Sequence, residues 1–180
     1  MCVKPKWLKK ISIPDFYLCG RSVDIVSSQK YLGVLITDVL NDNDDIQRHV
    51  KGIYARGNML VKKFMQCSYD VKVKLFKAYC NSFYCGNLWC NFSKATLRKV
   101  KTAYNRVFRS LMAIKDVLMT NRSMLEYAID PLDVVQRKSI FSLRKRVMMS
   151  SNSIIMSIIS SMQFNTSQLC IYWQKVLFSL

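Results

Sequence analysis

Acidic residues are scarce in this chain: eleven Asp and Glu stand against twenty-eight Lys and Arg in 180 residues, a formal net charge of +17. Histidine occurs once, at His49, and there is no CxxC, so no zinc-ligand set is recognisable. Neither a Gly-rich phosphate loop nor a GxSxG appears, which removes the common nucleotide-binding and serine-hydrolase signatures. The only adjacent carboxylates are Asp44 and Asp45, with Asp42 nearby. Paired aspartates can hold two divalent cations for phosphoryl transfer. These, however, head a helical pattern with no strand to position them, and helix capping accounts for them. Long apolar runs are also missing. Positions 147–174 carry no charge and follow Arg144, Lys145 and Arg146, but Ser, Asn, Gln and Thr interrupt them repeatedly, so no membrane-spanning helix is expected. Met1 leads into Cys2, Val3, Lys4, Pro5 and Lys6 rather than an apolar stretch. No secretory signal is therefore expected, and the seven cysteines read as reduced, mostly buried thiols of an intracellular protein.

An excess of seventeen positive charges repels itself, and a phosphate backbone is the usual neutralising partner. An anionic membrane surface is the second. The charge is concentrated: positions 71–115 contain ten Lys and Arg and no acid. At 100° per residue, Lys94, Arg98, Lys101, Asn105 and Arg109 share one helical face beside the apolar one. Charge runs usually form a solvated face, but forty-five positions without an acid favour contact with successive phosphates. Aromatic residues could stack on bases. Most fall at core spacing, so packing accounts for all but Tyr54 and Tyr84.

The first 37 residues read as strands. Phe16 to Cys19 precede a turn at Gly20-Arg21, Ser22 to Val26 alternate in polarity, and Tyr31 to Thr37 form a nearly continuous apolar run. That run predicts a strand covered on both faces. From Asp42 the period becomes helical: Ile46, Val50, Ile53, Gly57, Leu60, Val61 and Phe64 predict a helix of about six turns. Gly52 and Gly57 weaken it and allow close packing. Ser68 and Ser93 are candidate caps of the next two helices, a short helix covers 123–129, and Asp130 is expected to cap another with Pro131 at its first position. A short apolar stripe follows from Ile154 to Met162.

Several of these segments resemble a known family. Lys30-Tyr31-Leu32-Gly33-Val34-Leu35-Ile36 resembles the primer-grip strand that follows the palm in reverse transcriptases of non-long-terminal-repeat retrotransposons, and Met1 to Lys6 resemble the end of the strand before it. Downstream, Arg56-Gly57-Asn58-Met59-Leu60-Val61-Lys62-Lys63-Phe64 is similar to the family's thumb helix. The segments from Val71 to Cys80, Leu88-Trp89, and Ala103 to Arg109 continue the likeness in family order. The resemblance implies that Lys30, Tyr31, Leu32 and Gly33 meet the primer end. It also implies that Arg56, Asn58, Lys62 and Lys63, with Lys94, Arg98, Lys101 and Arg109, hold nucleic acid. Nothing here matches the family's catalytic palm aspartates, so the expected activity is binding without polymerisation, any divalent metal belonging to the palm.

The expected fold is α+β: a small antiparallel sheet remnant over 1–40, a thumb-like bundle and connecting helices over 41–150, and a helical segment over 151–180, with five or six helices in all. The expected partners are an RNA/DNA primer–template and the palm and fingers of a parent polymerase, in the nucleus or cytoplasm. No cofactor is expected in this chain. A basic helical protein that binds a membrane surface or a protein partner is the alternative, as is a functionless, decayed mobile-element copy. An uncovered sheet edge predicts marginal stability or aggregation of the isolated chain.

Overall fold

A computed structural model describes residues 14–81, 83 and 85–178; the segment from Met1 to Lys6 and Tyr84 lie outside them. The architecture is α+β and mostly helical, as expected. Strands β1 (Phe16–Leu18) and β2 (Arg21–Val23) form one antiparallel hairpin, and β3 (Ser28–Tyr31) and β4 (Val34–Thr37) form another. The expected single sheet is thus two separate ribbons. The predicted strand from Tyr31 to Thr37 is interrupted by a turn: Tyr31 ends β3, Leu32 (φ 44°) and Gly33 (φ 84°) reverse the chain, and Val34–Thr37 continues as β4. Positive φ at both central residues is the type I′ turn whose twist matches its flanking strands. Cys19 (φ 51°) and Gly20 (φ 75°) turn the first hairpin the same way. Every residue from 14 to 32 is exposed, whereas Gly33 to Ile36 are half-buried and Thr37 is buried, so the expected cover is partial and confined to β4 and its turn.

Eight helices follow among the described residues, more than the five or six expected. They are α1 (Asn43–Phe64), α2 (Tyr69–Cys80), α3 (Lys94–Met112), α4 (Thr120–Glu126), α5 (Leu132–Met148), α6 (Ser153–Ser160), α7 (Met162–Asn165) and α8 (Gln168–Phe178). The helical segment expected over 151–180 is divided into α6, α7 and α8; α7 is only four residues long and α8 is apolar on most sides, so neither shows a clear period. A single 3-10 turn, Gly86–Leu88, precedes the buried Trp89. Ser93 caps α3 as predicted, its hydroxyl accepting from the Thr96 amide. Ser68 precedes α2 without a side-chain cap, and Pro131 is the N-cap of α5 rather than its first residue.

The core is built on α1 and α3. Ile46, Val50, Ile53, Gly57, Leu60 and Phe64 recur at alternating four- and three-residue steps, as do Val100, Tyr104, Val107 and Leu111. This is the spacing of two helices packed knobs-into-holes. The pair runs parallel: Asn43 at the start of α1 accepts from the Ser93 amide, and fourteen residues further along each chain Gly57 lies against Val107. A Cβ on Gly57 would come within 2.5 Å of both Val107 γ-carbons. Glycine here permits the close approach. Phe76 of α2 seals the pair, its ring 5.1 Å from Tyr104 and 5.4 Å from Phe108. Such fully buried side chains each contribute about 1.5–3 kcal/mol. At the far end α5 carries α8, whose buried Trp173 donates to the Asn87 carbonyl at 3.3 Å.

Candidate nucleic-acid interface

The second hairpin is fixed to the helices by one buried carboxylate. Asp45 accepts from the Leu35 amide at 3.0 Å, from Trp89 Nε1 at 2.9 Å and from Arg48 Nη2 at 2.6 Å. The same Arg48 nitrogen donates to the Gly33 carbonyl at 2.6 Å. Burial pushes the Asp45 pKa up, but the hydrogen bonds from Trp89, Arg48 and Leu35 outweigh it and hold the carboxyl below its ordinary range. Asp42 reaches across to the Cys90 and Asn91 amides, at 2.8 and 2.7 Å. Its pKa is raised, by burial above all. Helix capping is therefore not what these aspartates do. They tie the start of α1 to the loop before α3 and to β4. His49, edge-on to Trp89 at 5.2 Å, is held neutral by burial and by Arg48 and Arg56 against the pull of Asp45.

The hairpin tip presents Lys30, Tyr31 and Leu32 to solvent, Leu32 at 74% exposure. Gly33 is needed for the turn, and its carbonyl is occupied by Arg48. On α1, Asn58, Lys62 and Lys63 are exposed, whereas Arg56 is half-buried with its Nε shielded from solvent and unpartnered among the described residues.

The predicted stripe divides. Lys94, Arg98 and Lys101 line a groove of about 480 Å³ together with Arg137, Asp133 and Lys175, so that α3, α5 and α8 bring five cations against one carboxylate. Lys101 lies 2.5 Å from Asp133; this exposed pair is worth little in stability but takes up one of the charges. Lys94, Arg98 and Arg137 are exposed and have no ion-pair partner among the described residues. Arg109 is not part of the groove. Two or more helical turns away, it is half-buried and faces hollows shared with Arg106, Lys115 and Asn105. Lys62 and Lys63 end the parallel partner helix at that same distal end.

Arg137 and Lys175 were missed by sequence reasoning, since nothing local ties them to Lys94. The aromatic lining of the groove was missed too. Phe92 and Tyr172 meet edge to face at 5.5 Å, and Gln136 Nε2 donates to the Tyr172 hydroxyl at 3.1 Å. Burial, with Cys90 and Asp42 nearby, pushes the Tyr172 hydroxyl up to about 12, so it stays protonated. Tyr54, a candidate for base stacking, is packed against the core instead, whereas Tyr79, assigned to packing, is exposed.

None of the six described cysteines is in a disulfide. They are less buried than expected: Cys80 and Cys170 are buried, Cys19 is exposed and the rest are intermediate. Burial pushes the Cys80 thiol up to about 11, which leaves it unreactive. No group of three or more His, Cys, Asp or Glu among the described residues could hold a metal ion, and no described helix is long and apolar enough to cross a membrane. No family model, curated protein or solved structure matches this chain.

Proposed function

We propose that this chain is the palm-edge and thumb region of a non-long-terminal-repeat retrotransposon reverse transcriptase, and that it holds nucleic acid through the cationic groove between α3, α5 and α8. The observation that carries the reading is the convergence of five cations and one carboxylate from three helices, in a chain of net charge +17. Cations fixed at helical spacing suit successive phosphates, and each phosphate bound releases condensed counterions. The ordered likeness of the segments from Lys30 to Arg109 supplies the family. In this reading Lys30, Tyr31 and Leu32 approach the primer end, and Lys62, Lys63 and Arg109 extend the contact beyond the groove. Polymerisation belongs to the palm aspartates of the parent enzyme, with any divalent metal, and the palm and fingers are the protein partners. The nucleus or the cytoplasm is where such a template would be met.

A primer–template with a single-stranded overhang tests this by fluorescence anisotropy at several salt concentrations. Replacing Lys94, Arg98 and Arg137 together by Ala should weaken binding and lower the salt slope by about 1 per lost phosphate contact. An unchanged slope would remove the groove from nucleic-acid binding altogether.

A further inference from the structure

The groove contains more than charge. Phe92 and Tyr172, edge to face at 5.5 Å, line it together with the cations of α3, α5 and α8. The Tyr172 edge is fixed by Gln136, which lines the same groove. Phosphate contact alone needs no aromatic lining: a duplex presents its sugar–phosphate rails outward and keeps its base faces stacked on one another. A single strand offers both parts at once, an anionic backbone and an unstacked base face. At about 480 Å³ the groove lies within the range of small-ligand clefts, about 300–1,000 Å³.

Resting on the nucleic-acid reading above, we propose that this groove is a single-strand site, in which a base packs on Tyr172 and Phe92 while the flanking phosphates meet Lys94, Arg98 and Arg137. Tyr172 is the residue that sets the preference. Its ring supplies the stacking surface, and Gln136 keeps that ring in place through the hydroxyl. The bases bound would be read weakly, because every base has a face to stack. The part of a primer–template that enters the groove is then the unpaired template, and the paired part lies elsewhere.

The test uses the full chain with a labelled twelve-nucleotide uridine strand and a blunt RNA–DNA duplex of the same length. The unmodified chain should bind the single strand more tightly than the duplex. Tyr172→Ala should weaken single-strand binding by about 5- to 150-fold, the usual worth of one stacked base, and leave duplex binding unchanged. Tyr172→Phe keeps the ring and should keep most of the single-strand affinity. A strand carrying 5-bromouridine should crosslink under ultraviolet light to Tyr172 or Phe92, located by mass spectrometry of the digest. Equal affinity for strand and duplex, equal loss of both with Tyr172→Ala, or crosslinks only outside the groove would overturn the proposal. Should Tyr172→Ala fail to fold, Tyr172→Phe and the crosslink decide the matter. If the Lys94, Arg98 and Arg137 variant lowers the salt slope but Tyr172 proves indifferent, only the single-strand assignment fails. If that variant leaves every salt slope unchanged, the nucleic-acid reading itself fails.

Discussion

Asp45 is the single residue whose loss should be felt furthest. Its carboxylate takes three donors from β4, α1 and the loop before α3, and it is 1% exposed. Asp45→Asn keeps the shape but removes the charge and turns one acceptor atom into a donor facing a donor. The expected loss at neutral pH is about 1–3 kcal/mol, the penalty for unsatisfying buried, charge-assisted bonds. The pH dependence gives the sign. The folded pKa of Asp45 lies below its ordinary value of 3.8, so below 3.8 the unfolded chain takes up the proton first. The stabilisation is complete above 3.8 and is lost as pH falls through the folded value. Urea unfolding of both chains from pH 7 down to about pH 3 should therefore show a gap that is widest at neutral pH and narrows in acid. A gap that does not vary with pH would mean the Asp45 charge contributes nothing. The sequence marked the Asp42 to Asp45 cluster as a helix start, which it is. The donors that decide its role, Trp89 and the Cys90 and Asn91 amides, lie more than forty residues away, and no local pattern reports them.

Elements were legible where one periodic face dictates them. The four-and-three spacing from Ile46 to Phe64 and from Val100 to Leu111 is visible in the sequence, and it is the α1–α3 seam. Turns were less legible. The Leu32-Gly33 bend sits inside an apolar run, and leucine at positive φ is uncommon enough that the run reads as one strand. The two glycines of α1 separate what periodicity can say from what packing adds. Either gains roughly 1 kcal/mol of helix propensity on becoming Ala. At Gly52 the new methyl meets only the end of the Arg56 side chain, 3.1 Å away, which can swing aside. At Gly57 it meets the branched carbons of Val107 at 2.5 Å in the middle of the seam, and overpacking of that kind costs about 1–3 kcal/mol. Gly52→Ala should raise the thermal midpoint and Gly57→Ala should lower it. Equal shifts in both variants would show that the seam yields and that the parallel α1–α3 contact is looser than this geometry.

For the whole molecule, charge and apolar surface oppose each other. The helices after α5 leave much of their apolar surface uncovered: Ile154 is 69% exposed, Ile158 53% and Met162 85%, and Leu118 and Leu125 are exposed on and beside α4. Apolar surface of this kind drives association with whatever will cover it. The net charge of +17 keeps copies apart, but only over the screening distance, which is about 10 Å at 0.1 M salt and about 3 Å at 1 M. Raising salt therefore removes the repulsion and leaves the apolar attraction intact. Light scattering of the isolated chain should show a larger apparent mass at 1 M than at 0.1 M sodium chloride, and replacing Ile154 and Ile158 by Ser should reduce that growth. The opposite result, copies that associate at low salt and separate at high salt, would mean that contacts between unlike charges hold them together. The distinction bears on the groove as well. Nucleic acid bound there would neutralise the same cations that keep copies apart, so binding should bring association at salt concentrations where the bare chain stays monomeric. A mass that grows only when the oligonucleotide is present, and grows less in the Ile154 and Ile158 variant, would separate this association from simple bridging of several chains along one strand.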